Sequence, residues 1–590
     1  MCGIYGIISN LTKDNSSKAE VLKMMQKSAY RGPDSQQIIS LNQVCFGFNR
    51  LAIIDLDKRS DQPLNLESIG KLIVFNGEIY NYLEIKKELL ELGYSFKTDS
   101  DTEVALIAFH HYGVEAFNLF NGMWAMCIYD YTNNQITLSR DRFGVKPLYY
   151  MFQDECLYFA SEIKSLLVVK KELIQNSTTT NQYLIYCQNK FSNGETLIEG
   201  IQEHPAGSFS KLRNNQLEIK RYYFIPKKED TRDYKAIQKE LLHNFKDALK
   251  LRMRSDVPVA LLLSGGLDSS LIAYHINKMI ENGELKNNKV HAFTLNFDGF
   301  NNNEWDIVNK FRSKLPHIIC EPININMDSF KLERNKLINN QDVPSLSISH
   351  LIHVIALRQI KAKGFTVVLN GQGADEVFGG YFPNDMGSLL LDALKQSFQI
   401  GISEMKYIKK KWRFSLRKQV KSIIQSYIYC RLPRIYNFLK SKSLKENKYL
   451  VNPSSHFLNS KDTYFQFSSK MQIFESEFNG ILNYEDSASM LNSIEMRSPF
   501  MDYRLINLGL SINPNLKLHQ GFSKWILRDT LGELLPNEIR WATWKLGYAV
   551  PKQELLKELL NLVSPTSENE LNSKWREYNL KEWFKFQNII

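Results

Sequence analysis

No pair of cysteines in this chain has the close spacing of a metal knuckle or a redox motif. The seven cysteines are Cys2, Cys45, Cys127, Cys156, Cys187, Cys320 and Cys430. They are scattered and odd in number, which argues against a disulfide framework and against a zinc site. Most read as small buried hydrophobes. No run approaches the ~18 consecutive apolar residues of a membrane span. No basic segment followed by an apolar run opens the chain, so no secretion signal is read and a cytoplasmic location is expected. Internal repeats and long low-complexity tracts are missing too, which argues against a solenoid. What is present is an ordinary folded composition, 43% hydrophobic and 23% charged over 590 residues, enough for at least two globular units.

Acidic residues are almost missing from one stretch. Between Met405 and Lys448 there are fourteen Lys and Arg residues against the single acid Glu446. This segment carries the whole surplus of a chain whose net charge is +11. The basicity is therefore local, and no motif supports nucleic-acid binding. The lysines alternate with Trp412, Phe414, Tyr427, Tyr429 and Tyr436. A solvated helical insertion over about 385–480 is the plain reading, and peripheral contact with an anionic membrane surface is the other.

The first ~200 residues read as short strands broken by turns, as in KLIVFNGEIYN, MWAMCIYD, QITLSRD and LYFASE, with helical patterns at Ala19–Ser28 and Leu83–Leu92. An α+β layer structure is expected there. The boundary falls in the polar stretch Glu203–Lys228, with a linker over 206–232. From Asp233 the pattern changes. VPVALLLS runs into SGGLDSS and then SLIAYHINKMI, which is buried strand, glycine turn, helix. VHAFTLNF and TVVLNGQGADE supply two more strands, so an α/β domain with a parallel sheet is expected. From Pro383 to Ile590 the chain reads mainly helical. The expected domains are thus 1–205 and 233–590.

Removal of Met1 would place the α-amine of Cys2 beside its own thiol. An α-amine titrates near ~7.7–8.0, so it can act as the base for that nucleophile without a histidine. Four features downstream fit one substrate. YRGPD (Tyr30–Asp34) is a charged turn. Arg50 in NRLAIIDL can clamp a carboxylate. In FNGEIYN, Asn76 and the Gly77 N–H can form an oxyanion hole, and Glu78 can receive an amine. Asp101 in TDSDTEV is a second amine acceptor. Amine, carboxylate and amide carbonyl are the functional groups of glutamine.

These residues together resemble the class II glutamine amidotransferases, whose domain is stacked antiparallel sheets flanked by helices with an N-terminal nucleophile. The resemblance implies attack by Cys2 on the glutamine amide, with ammonia released and the thioester then hydrolysed. It implies an oxyanion hole from Asn76 and Gly77 and glutamine binding by Arg50, Ile53, Ile54, Asn76, Glu78 and Asp101.

In the second half, Ser264, Gly265 and Gly266 form a glycine turn at a strand-to-helix junction, where backbone N–H groups favour phosphate. No lysine follows, so this is not a GxxxxGK[ST] loop. Asp268 suits Mg²⁺, and Asp375 in NGQGADEVFGGY suits a second ion. Glu376 reads as a neighbour that organises the loop. The Ser-Gly-Gly-x-Asp-Ser order resembles the pyrophosphate loop of ATP pyrophosphatases. With the N-terminal half it resembles the glutamine-hydrolysing asparagine synthetases, whose late signatures are similar to SIEMRSPFMD (Ser493–Asp502) and KLGYAVP (Lys545–Pro551). That resemblance implies ATP as a substrate with Mg²⁺. It assigns ATP binding to Leu262, Ser264, Gly265, Gly266, Asp268, Ser269, Leu295, Asn370, Gly371 and Lys545. Gln372, Glu495 and Arg497 fall on the acceptor side. The resemblance further implies that an acyl-adenylate forms, pyrophosphate leaves, and ammonia displaces AMP. Aspartate is the expected acceptor and a homodimer the expected assembly.

The chain departs from the family pattern around the acceptor. Where asparagine-forming members commonly read S-G-E-G it has Asn370-Gly371-Gln372-Gly373, and Ser487 stands where a basic residue is common. Gln372 cannot take up a proton at neutral pH. These changes resemble relatives that amidate other carboxylates, including sugar acids of surface polysaccharides. A reading of another class, a non-catalytic interaction protein that keeps the fold, is opposed by the intact set Cys2, Arg50, Asn76, Asp101, Asp268 and Asp375.

Overall fold

Among the described residues twelve strands build the N-terminal half. In chain order they are β1 (Gly3–Ser9), β2 (Ser35–Leu41), β3 (Val44–Arg50), β4 (Leu64–Leu66), β5 (Lys71–Ile79) and β6 (Gly122–Asp130). They continue with β7 (Gln135–Arg140), β8 (Tyr149–Gln153), β9 (Cys156–Ala160), β10 (Gln202–Glu203), β11 (Ser208–Arg213) and β12 (Gln216–Arg221). The computed structural model describes residues 2–9, 14–187, 191, 194–225, 230–286, 288–297, 303–382, 385–432, 435–436, 461–475, 477–543, 551–560, 568–587 and 589. Two six-stranded sheets result, in the orders β10-β8-β9-β1-β3-β2 and β12-β11-β7-β6-β5-β4. Ile4, Ile8, Phe46 and Phe48 of the first pack against Leu72, Val74, Ala125 and Leu138 of the second, so the sheets stack through their alternating apolar faces. Helices Asp14–Lys27 and Tyr82–Glu91 occupy the two helical patterns read from the sequence.

The stretch expected to be a linker is partly sheet. β11 and β12 pair antiparallel, and β11 also pairs with β7. Asn214 and Asn215, both at positive φ, close the two-residue turn between them, as a tight hairpin demands. The outer strand β12 is largely polar and exposed, which is why its sequence resembles a connector.

The C-terminal half holds a parallel sheet of β13 (Val259–Leu262), β14 (Val290–Phe297), β15 (Ile318–Ile325), β16 (Val367–Leu369) and β17 (Glu495–Arg497). Their order is β15-β14-β13-β16-β17. The chain moves outward from β13 to β15 and then returns to the other side of β13. The strand order therefore reverses between β13 and β16, and a ligand crevice opens at such a point. One apolar cluster runs without a break from Phe75 and Trp124 of the antiparallel sheets to Phe245, Leu261 and Phe500 of the second half. The two halves thus share a core.

Within the insertion expected over about 385–480 lie helices Met386–Gln396, Phe398–Trp412 and Leu416–Arg431. The last is turned inside out. Gln419 and Cys430 are buried, while Leu416, Val420, Ile424 and Tyr427 are exposed. The inner face crosses the first helix at Gly387, where a Cβ would lie 2.3 Å from the Ser422 carbonyl oxygen. Among the described residues no helix is long and apolar enough to cross a membrane.

Burial separates the consequences of two leucine truncations. Leu369→Ala, in the fully buried end of β16, is expected to cost about 2–5 kcal/mol in urea unfolding. Leu416→Ala, on the exposed helix face, is expected to cost less than about 0.5 kcal/mol.

Candidate functional site

Cys2 sits immediately before β1, which lies between β9 and β3 in the first sheet. The pairing of Gly3 with Asn49 sets Cys2 against the end of β3. Leu51 N–H points at Sγ from 3.5 Å, and Sγ lies 3.8 Å from the Leu51 carbonyl oxygen. Stacking of the sheets brings Asn76 of β5 across, and the Cys2 N–H donates to its Oδ1 at 2.9 Å. The Asn76 Nδ2 is buried with no acceptor among the described residues. A donor without a partner beside a thiol is the equipment of an oxyanion hole. Gly77 has φ +155, and a Cβ there would meet the Met123 carbonyl oxygen at 2.0 Å, so only glycine lets β5 run this close to β6. Burial pushes the Cys2 thiol upward, against the positive charge of the chain terminus.

Cys2, Arg50, Ile53, Ile54, Gly77, Glu78 and Asp101 line one cavity of about 30 Å³. Arg50 is anchored on its outer side, donating to the Asp57 carbonyl at 2.8 Å and to Asp61 at 2.6 Å. Asp101 accepts from the Ile79 N–H at 2.8 Å. Burial raises the carboxyl of Asp101 to about 7, and Glu78 well above its usual range, helped by the neighbouring Glu495. The Glu78 Oε2 is buried without a hydrogen-bond partner among the described residues. Two acids held out of water, one with an unmet acceptor oxygen, suit an ammonium group.

The charged turn Tyr30–Asp34 supplies a link between the halves. Arg31, fully buried, donates from Nε to the Cys2 carbonyl at 3.0 Å. Its Nη1 reaches Glu162 at 2.9 Å and Asp486 at 2.8 Å. Asp486 belongs to helix Glu477–Met490 of the second half, and Lys146 Nζ stands 3.5 Å from its other oxygen. Glu495 and Arg497 form a second link. Arg497 pairs with Glu495 at 2.6 Å, caps the Arg252 and Arg254 carbonyls, and lies 3.4 Å from Glu78. Burial would raise Glu495, but the chain terminus and Arg497 outweigh it and hold it low. Both were expected on the acceptor side; they stand instead on β17, against the Cys2 cavity.

The larger cavity, about 500 Å³, opens at the carboxyl ends of β13 and β16. Leu262, Ser264, Gly266, Asp268, Ser269, Leu295, Asn370, Gly371, Gln372 and Asp375 all line it. Gly265 has φ +73, and a Cβ there would meet Ile307 at 2.9 Å. The Ser264 hydroxyl ties the turn, 3.0 Å from the Ser269 hydroxyl and accepting from the Gly266 N–H at 3.3 Å. Helix Leu267–Glu281 starts there and aims its first N–H groups at the cavity edge. Glu376 is buried behind the loop and accepts from the Tyr381 hydroxyl. Lys545 lies outside the described residues.

The sequence reading missed three residues of this cavity. Lys524 Nζ is held between Asp268, at 2.6 Å, and Asp375, at 2.7 Å. Arg528 lines the same wall, and burial lowers it to about 10. The available signal was the four-residue spacing of cations in SKWILR. Glu485 accepts from Asn370 Nδ2. Burial raises its carboxyl to about 8, with Lys146 opposing.

A pH effect on stability follows from Asp101. Its folded value of about 7 lies above an unfolded value of ~3.9. The folded state then keeps a proton that the unfolded state has released, so this group's contribution declines as pH rises from about 4 to about 7. In denaturant titrations Asp101→Asn is expected to gain stability relative to the parent as pH rises through that window.

Residues 1–223 match the glutamine amidotransferase domain family, and residues 240–578 match asparagine synthase. The chain is 29% identical to the glutamine-hydrolyzing asparagine synthetase 1 of Bacillus subtilis, over 95% of this chain and 89% of that one. It is 33% identical to a putative glutamine-hydrolyzing asparagine synthetase 2 of Methanocaldococcus jannaschii, over 65% and 76%. Amidase chry2 of Gibberella zeae is 24% identical over 97% and 93%, so the same two-part chain also carries another name. The chain belongs to the glutamine-hydrolysing asparagine synthetase family.

Proposed function

We propose that this protein is an AMP-forming amide synthase that converts aspartate to asparagine with nitrogen from glutamine. The observation that carries this reading is the meeting of Asp268, Asp375 and Lys524 beside the Ser264–Gly266 turn, in the same chain as the Cys2 cavity. Once Met1 is removed, the Cys2 amine takes the thiol proton and Sγ attacks the glutamine amide carbon. Asn76 Nδ2 and the Gly77 N–H hold the oxyanion. Arg50 holds the glutamine carboxylate, with Ile53 and Ile54 beside it, and Glu78 and Asp101 hold its amine. Ammonia leaves, and water hydrolyses the thioester.

In the second cavity Leu262, Leu295, Asn370 and Gly371 frame the nucleoside, and the Ser264–Ser269 turn cradles pyrophosphate. An acceptor carboxylate oxygen attacks the α-phosphorus and pyrophosphate departs. Lys524 and Arg528 offset the charge that builds up on the phosphates. Asp268 and Asp375 offer hard oxygen donors around one cationic position, a donor set that fits Mg²⁺. Bound there, the ion would supply positive charge against the phosphates.

A second acceptor is favoured by one observation. Gln372, an amide, lines the cavity where an acid is common in asparagine-forming members. A carboxylate other than aspartate, such as a sugar acid, fits this change. The acceptor is identified by incubating the protein with glutamine, ATP and Mg²⁺ and adding aspartate or glucuronate in turn. Aspartate is expected to trigger AMP and pyrophosphate release with asparagine as product. Release with glucuronate alone would move the assignment to the second reading. Release with neither would end the proposal.

Variants separate the two chemistries. Cys2→Ala is expected to abolish glutamine-dependent turnover while ammonium chloride still supports amide formation. An unchanged glutaminase rate would instead favour a protein whose fold outlived its catalysis. Gly77→Ala is expected to lower glutamine hydrolysis about 100-fold, since it displaces an oxyanion donor.

The basic helix Leu416–Arg431 fits an anionic lipid surface. Its exposed Leu416, Val420, Ile424 and Tyr427 are interleaved with Arg417 and Lys421, the pattern of a helix lying in a membrane interface. Salt-sensitive sedimentation with phosphatidylglycerol vesicles, and none with phosphatidylcholine vesicles, is the expected outcome. No association with either would leave a solvated insertion.

A further inference from the structure

The nitrogen-transfer step needs a proton acceptor. When ammonia attacks an acyl carbon, the new C–N bond leaves the nitrogen positively charged. A proton must go before the amide is formed. A group with a pKa near the working pH serves this best. The residues of the larger cavity can be sorted by whether they qualify. Asp268 and Asp375 are engaged by Lys524. His350 and His353 are made very weak bases by burial, at about 3 and about 4. Gln372 is an amide. Lys524, Arg528 and Lys552 serve as cations. Glu304 opens the helix Glu304–Phe311, which packs on β14, on the side of the sheet away from β17.

Glu485 is the acid that satisfies both position and chemistry. It lies on helix Glu477–Met490, in the cavity wall that also presents Asn370, Gly371 and Gln372. Asn370 Nδ2 donates to its Oε1 and fixes the carboxylate. Ser498 Oγ donates to Asn370 Oδ1 at 2.7 Å, which fixes the amide in turn. The next residue, Asp486, is the one that Arg31 joins to the Cys2 carbonyl. The helix that carries Glu485 is therefore the wall of this cavity in bonded contact with the thiol site, where nitrogen is released.

Resting on the reaction proposed above, we infer that Glu485 accepts the proton shed by ammonia as it attacks the activated acyl group. In this step the nitrogen lone pair forms the C–N bond, and the acyl C–O bond to AMP breaks. AMP leaves with that electron pair, and one N–H proton passes to the Glu485 carboxylate. The acid on the helix thus supplies what Gln372 in the facing loop lacks. Its environment agrees. Burial, Asp486 and Glu376 favour the protonated form, while Lys146 and the Asn370 amide favour the carboxylate, leaving the group at about 8.

The test compares the full-length parent with Glu485→Gln and Glu485→Asp. Ammonium chloride is the nitrogen source, and aspartate, glutamate and glucuronate are the probe acceptors. Two rates are read: acceptor-dependent ATP–pyrophosphate exchange, which stops at the adenylate, and amide formation. Glu485→Gln is expected to slow amide formation by about 100-fold or more, with exchange slowed less than about threefold. The parent-to-variant ratio should rise with pH until it levels above about 8. Glu485→Asp should recover part of the rate. Amide formation by Glu485→Gln within about threefold of the parent, with no pH-dependent ratio, would overturn the assignment. Exchange and amide formation lost in equal measure would also overturn it and make Glu485 a binding or folding residue. A parent that shows no exchange with any of the three acceptors would refute the proposed reaction itself, and this step with it.

Discussion

The Arg31 guanidinium is the contact on which the arrangement of the two sites depends. It is fully buried, and it binds the Cys2 carbonyl, Glu162 and Asp486 at once. A buried cation is tolerated only when several acceptors replace its water. Here those acceptors come from the nucleophile's own peptide, from the antiparallel half and from the helix that walls the synthetase cavity. Misplacing any one of them would leave a charge unmet in the interior. The cost of that fault fixes the two halves in one relative position. Arg497 repeats the device, joining Glu495 to Glu78. With an apolar cluster running between the halves, ammonia released at Cys2 in the proposed reaction would enter a core that both halves share.

Carboxylates of one chemical type are sorted by their surroundings into different tasks. Asp502 is held far below the usual carboxylate range, because Arg252 and Arg504 overcome its burial. It serves structure, receiving Asn121 and Arg252. Glu78, Asp101 and Glu485 are buried with too little compensating charge, and their affinity for protons rises. Such unmet acids cost stability in the free protein, and ligands can recover that energy. Glu78 and Asp101 line the Cys2 cavity and Glu485 lines the larger one, whereas Asp502 belongs to the frame between them.

Much of the site was legible because it is written in local motifs. Cys2, the Asn76–Gly77 pair, the Ser264–Gly266 turn and the Asn370–Gly373 loop each combine a strand end with residues that only special backbone or chemistry explains. The three strands read in the second half are β13, β14 and β16. What escaped was long-range. Lys524 meets Asp268 across 256 positions of sequence, and no spacing rule reaches that far. Arg31 looked like part of a turn because its partner Asp486 is 455 residues away. Glu485 was passed over as one acid among several polar neighbours, since its significance comes from burial. The Arg213–Gln216 hairpin was taken for a linker because an edge strand with a polar face has the composition of one. Glu495 and Arg497 were attached to the acceptor by the company of their motif, whereas their side chains turn toward Glu78.

In the proposed reaction the acceptor carboxylate is joined directly to the α-phosphate before nitrogen arrives. Aspartate carrying heavy oxygen in its side-chain carboxylate tests this most directly. During turnover with glutamine and ATP, one labelled oxygen from each acceptor should appear in the phosphate of AMP, with none in pyrophosphate. Unlabelled AMP formed alongside asparagine, or label recovered in inorganic phosphate with ADP as the nucleotide product, would contradict the account.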